Sequence, residues 1–144
     1  MVLVDAVKHG FLEDLLGSHE VAAAAKALAE VRHYKGDDGA KHPIDLGPFM
    51  AAGRLVVYSA SAGDVAALLV RLKRKSLGEG EIESLALALK HGWRFCTADR
   101  SAVREMKDLG LLDRWVPLEE LLNTLSPPRP VPDAKYSRVA AEPK

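Results

Sequence analysis

Residues 77–100 read Leu-Gly-Glu-Gly-Glu-Ile-Glu-Ser-Leu-Ala-Leu-Ala-Leu-Lys-His-Gly-Trp-Arg-Phe-Cys-Thr-Ala-Asp-Arg. Gly78-Glu79-Gly80 breaks the chain before a helix over about 81–91, whose alanines and leucines favour helix intrinsically. Gly92 closes it, because a residue without Cβ suits a left-handed C-terminal cap. Residues 93–97 then read as a strand, and Asp99 stands at its end. Reading outward, the same alternation repeats. Downstream lie an amphipathic helix over 101–109 closed by Gly110, a strand starting at Trp115-Val116, and a helix over 118–125. Upstream, Arg-Leu-Val-Val-Tyr-Ser-Ala at 54–60 reads as a strand, and Gly63-Asp64 opens an apolar helix through Val65, Leu68, Leu69 and Leu72. Residues 40–53 hold two prolines and two glycines and read as loop plus one short helix. Residues 21–34 read as helix on alanine content, ended by Gly36-Asp37-Asp38-Gly39. The first four residues read as a strand stub ending in Asp5, with Val7, Phe11, Leu12, Leu15 and Leu16 at helical spacing after it.

Strands alternating with helices predict a three-layer α/β/α domain with a mainly parallel sheet over residues 1–125. In such sheets ligands bind outside the carboxyl ends of the strands, the rim on which Asp5 and Asp99 are expected. Five prolines among the last nineteen residues predict a disordered tail over 126–144. A chain of 144 residues with 48% hydrophobic and 28% charged residues suits one globular domain. Lys plus Arg and Asp plus Glu are 20 each, so any hold on nucleic acid must come from a local patch. A single Cys96 excludes an intramolecular disulfide and a cysteine zinc cluster. With no signal-like opening and no apolar run of about 20 residues, a cytoplasmic protein without membrane contact is expected.

Asp5, Glu30, Glu81 and Asp99 each lie at or near the end of a separate element. Clustered carboxylates repel, and protons or hard cations must neutralise them. Mg²⁺ and Mn²⁺ prefer oxygen ligands and keep several waters and phosphate oxygens, so this set suits them better than zinc. The chemistry suggested is metal-assisted phosphodiester hydrolysis.

Residues 77–100 resemble the PIN-domain endoribonucleases, which include the toxins of bacterial toxin–antitoxin pairs. A Gly-Glu opening an Ala-rich helix, a closing Gly, an apolar strand and the Thr97-Ala-Asp99 turn carry the resemblance. More loosely, residues 21–31 look like the family element that ends in a Glu, here Glu30, and residues 111–122 like its closing strand and helix. The resemblance implies that Glu30, Glu81 and Asp99, with Asp5, hold Mg²⁺ or Mn²⁺ for cleavage of single-stranded RNA, with Thr97 orienting a ligand or water. It also implies a homodimer and an antitoxin-type protein partner. The first acid departs from the family pattern, and two registers are open. Taking residues 1–5 as the strand makes Asp5 the acid, but leaves four residues before Gly10 where the family has roughly ten. Matching Gly10-Phe-Leu-Glu-Asp-Leu to the family's first helix makes Val2-Leu-Val helical and puts the acid before Met1. The competing reading is a PIN-like domain without catalysis that acts as a binding or regulatory module.

Each residue also has a plainer role. Asp5 and Asp99 suit helix N-caps, and a lone Glu30 suits a solvated face. Glu81 and Glu83 are two apart, roughly 200° around a helix, so regular geometry cannot aim both at one metal. With Ile82, Leu85, Ala86 and Leu89 as the buried face, Glu81 lies about 80° from its centre and Glu83 about 120°. That favours Glu81 as ligand and leaves Glu83 auxiliary or on the surface. Lys73, Arg74 and Lys75 belong to the densest basic run, which suits a solvated helix end or an RNA backbone contact. The five histidines show no ligand spacing, Trp93 and Trp115 read as core, Cys96 reads as a buried small hydrophobe, and Gly78-x-Gly80 lacks the preceding strand of a dinucleotide motif.

Overall fold

The computed structural model describes residues 2–73 and 77–125, with Pro128 and Pro130. The expected tail and the basic residues Arg74 and Lys75 otherwise lie outside that range. The chain is mixed α/β, and four of its strands form small parallel ladders. β1 (Val21–Ala24) pairs in parallel with β4 (Leu55–Tyr58), and β5 (Phe95–Cys96) in parallel with β6 (Trp115–Val116). β2 (His33–Lys35) and β3 (Lys41–Pro43) form an antiparallel hairpin. The helices are α1 (Val2–Lys8), α2 (Leu12–Ser18), α3 (Ala25–Ala29), α4 (Gly47–Ala51), α5 (Ala62–Arg71), α6 (Glu79–His91), α7 (Arg100–Asp108) and α8 (Leu118–Asn123). None of them is long and apolar enough to cross a membrane.

From β4 onward the elements follow the sequence pattern. Ser61 caps α5 by accepting from the Asp64 N–H at 3.1 Å, and Gly92 ends α6 at φ 69°. In the first third, several expectations are corrected. Residues 2–4 are helical, so Asp5 lies inside α1 and not at a strand end. The apolar run reads as a helix because Leu3 and Ala6, one turn apart, face the core together. Gly10 at φ 74° then ends the helix, with Phe11 N–H bonded back to Ala6 C=O and Gly10 N–H to Val7 C=O. Residues 21–24 are strand and not helix. Alanine's helix preference is a few tenths of a kcal/mol per residue, and four registered pairs with β4 together with burial of Ala23 and Ala24 outweigh it. Residues 33 and 34, expected as the end of that helix, and residues 41–43, expected as loop, are strands of the hairpin.

One core joins α1, α2, α8, Ala23 and Leu55; a second joins α5, α6, α7 and Trp115. Ala24, Ala27 and Leu87 form a third cluster, against which Tyr58 and Trp93 pack. Trp93 is therefore half-buried outside the strand, with its ring 4.2 Å from His91 and 5.0 Å from Tyr58, while Trp115 is core as expected. α6 is covered on two sides, by the second core and by α3 with β1, and its placement builds the candidate site.

Candidate carboxylate site

Gly80 is inside α6 rather than in the turn before it. A Cβ there would stand 2.8 Å from the Ala27 Cα and 3.1 Å from its N. Only a glycine allows the first turn of α6 to close on α3 this tightly. Gly80, Glu83 and Leu87 lie one turn apart in succession and form the stripe that meets α3. Glu83 is 4% exposed, and its carboxylate accepts from the Lys26 N–H at 2.8 Å and from the Ala60 N–H at 3.3 Å. This overturns the placement of Glu83 on the surface. The face that runs through Ile82 and Leu85 is only one of two buried faces, and an angle measured from it alone misplaces the residue.

Glu81 is half-buried on the rim beside this contact. Its carboxyl is pushed from an ordinary 4.5 up to about 7, first by burial, then by the charge of Asp99 and a hydrogen bond shared with it. A bond from the Gly78 N–H, at 3.4 Å, pulls weakly the other way, and the Glu30 charge pushes up again. Asp99 is the N-cap of α7, accepting from the Ser101 N–H at 2.8 Å. Glu30 is exposed at the C-terminal end of α3. Glu81 and Asp99 thus touch, with Glu30 within electrostatic reach. Asp5 is not among the groups acting on Glu81.

Thr97 is buried and holds Asp99: its Oγ1 accepts from the Asp99 N–H at 3.1 Å. Its carbonyl accepts from the Trp115 indole N–H at 2.9 Å, which ties the turn to β6. In comparisons with known proteins, no family model matches the chain, and neither does a curated protein or a solved structure. Its chemistry is therefore read from its own residues.

Among the described residues no three His, Cys, Asp or Glu side chains already stand close enough together to hold a metal ion. The carboxylates that do meet offer oxygen donors only, as hard cations require. Burial pushes the Cys96 thiol up to about 12, with Arg94 opposing weakly, so it is protonated at neutral pH and unfit as a nucleophile. His19 bonds Thr124, and His42 stacks on Tyr34 with its Nε2 3.5 Å from Asp38 Oδ1. Lys73 is exposed, and its N–H donates to Glu105 Oε2 at 3.3 Å. Glu105 is wholly buried in α7. Its one signal in the sequence is a charge inside the otherwise apolar stripe Ala102, Val103 and Met106.

Proposed function

We propose that this chain is a metal-dependent endoribonuclease of PIN-like, three-layer α/β/α design that cleaves single-stranded RNA in the manner of toxin–antitoxin toxins. The contact between Glu81 and Asp99, with the Glu30 charge beside it, carries the reading. A carboxyl held protonated toward neutral pH by burial and by a second carboxyl bonded to it is the kind of group a divalent cation would relieve. Glu81, Asp99 and Glu30 would hold Mg²⁺ or Mn²⁺, which in such sites activates water and neutralises charge on the scissile phosphate. Asp99 is aimed by Thr97 and by the start of α7, Glu81 by the first turn of α6. Lys73 supplies a positive charge for the RNA backbone, a contact that positions without reading sequence. A homodimer and an antitoxin-type partner follow from the family resemblance alone.

One observation favours the second reading, a binding module without catalysis: Asp5 sits within α1 and is not among the groups acting on Glu81, so two carboxyls meet with the Glu30 charge nearby where the resemblance implies four acids. Incubating the full chain with varied single-stranded RNAs and Mn²⁺ or Mg²⁺ separates the two. Cleavage that chelator abolishes and that is lost in Asp99→Asn supports the enzyme. RNA binding that survives Asp99→Asn, without cleavage under either metal, supports the module.

A further inference from the structure

α3 begins without a cap of its own. Its N-cap position is Ala24, whose methyl group offers no acceptor, so the first N–H groups of this five-residue helix need a partner from elsewhere. Glu83 supplies it across the helix contact, through Oε1 to the Lys26 N–H. Its other oxygen takes the Ala60 N–H, next to Ser61, the N-cap of α5. One carboxylate on α6 thus ties down the first turn of α3 and the junction of β4 with α5. Both oxygens accept from backbone N–H groups, and the group is buried.

The consequence falls on its neighbours. Glu30 closes α3 only a few residues from Lys26, and Glu81 precedes Glu83 by two residues on α6. The connection between those two carboxylates runs through α3, the Lys26–Glu83 hydrogen bond and half a turn of α6, beside the close approach of Gly80 to Ala27. We propose that Glu83 is a positioning residue that sets the spacing of Glu30 from Glu81, and with it the affinity of the carboxylate rim for a divalent cation. The affinity part rests on the metal-site reading above; the spacing part stands without it.

The test is Mn²⁺ binding by calorimetry to the full chain and to Glu83→Gln, Glu83→Gln with Ala24→Ser, and Leu122→Ala, with carboxyl ¹³C shifts of Glu30 and Glu81 recorded without metal. Glutamine presents an NH₂ to one of the two N–H donors, so one bond must break. The expected result is Mn²⁺ binding weakened about ten-fold or more in Glu83→Gln, the range for residues that orient metal ligands. Ala24→Ser, which gives α3 its own N-cap acceptor, restores much of that loss. Leu122→Ala destabilises the first core but leaves Mn²⁺ binding and both carboxyl shifts as in the parent. The proposal is overturned if folded Glu83→Gln binds Mn²⁺ like the parent, or if affinity merely tracks stability across Glu83→Gln and Leu122→Ala. If Glu83→Gln does not fold, Glu83→Asp, whose carboxylate is drawn back by about 1.5 Å, is read by the same two outcomes. A parent that binds no Mn²⁺ defeats the metal reading instead; unchanged Glu30 and Glu81 shifts in the Glu83 variant then overturn the positioning role by themselves.

Discussion

Glu83 on α6 and Glu105 on α7 are both buried carboxylates that accept backbone N–H groups from another segment, yet only one lies beside a candidate site. Glu105 receives the Lys73 N–H after α5 and packs among residues of the second core. Glu83 receives Lys26 and Ala60, and its neighbour Glu81 meets Asp99. Burial of an acid is therefore no mark of function in this chain. Convergence of acids from separate elements is what sets Glu81 apart, because there the neighbouring charges of Asp99 and Glu30 add to burial in raising its proton affinity.

The largest expected effect separates the converging acids from everything else. Asp99→Asn should lower RNA cleavage by roughly 100-fold or more, since a lost ligand disturbs the charge that stabilises the transition state. Asparagine caps helices as well as aspartate does, so without metal the variant should melt no lower than the parent. An equal fall in cleavage and melting temperature would show that Asp99 is only a cap.

Next come the two helix contacts. Gly80→Ala forces a methyl against the Ala27 backbone and should destabilise by about 1–3 kcal/mol in denaturant unfolding, with weaker Mn²⁺ binding because α3 is displaced. Glu105→Gln should destabilise to a similar degree, about 1–3 kcal/mol, with Mn²⁺ binding unchanged. Glu105→Gln weakening Mn²⁺ as much as Gly80→Ala would erase the distinction between the α3–α6 contact and the Glu105 contact.

A smaller effect is the pH dependence of the metal-free fold. Glu81 holds its proton to about 7 in the folded chain against an ordinary 4.5. Between those values the folded state binds more protons than the unfolded one, so stability falls as pH rises through that window. The difference should be about 1–2 kcal/mol once solvent screening of a half-buried group is allowed for. It should appear as a declining melting temperature between pH 5 and 7.5, as roughly bracketed by the two proton affinities. The slope should flatten in Glu81→Gln and on adding Mn²⁺; a parent and Glu81→Gln with the same slope would remove Glu81 from the site.

The smallest effect concerns the basic end of α5. Lys73→Ala should weaken RNA binding a few-fold and reduce the salt slope by about one counterion, while Mn²⁺ affinity stays as in the parent. Its hydrogen bond to Glu105 comes from the backbone, which alanine keeps. An unchanged salt slope would take Lys73 out of the RNA contact.

The sequence by itself determined the second half of the chain. Helices α5 to α8 and strands β4 to β6 appear where periodicity and glycine caps put them, because their signals are local. Gly92 and Gly110 need no partner to adopt positive φ, and Asp99 caps α7 with its own side chain. Local signals put Glu81 and Asp99 each at the start of a legible helix; their meeting is a tertiary contact, expected from strand ends sharing one rim and from the family resemblance. Tertiary structure alone decided the rest. Val21–Ala24 is strand because β4 lies alongside it, a pairing 34 residues away in sequence that outweighs weak local preference. Val2–Lys8 is helix because one face of it fits the core, which a short apolar run does not announce. Glu83 is buried because α6 is covered from two sides, and the second side, α3 with its uncapped start, is itself an outcome of the strand that the alanines concealed. No reading of one helix face can supply a burial that depends on where another segment folds.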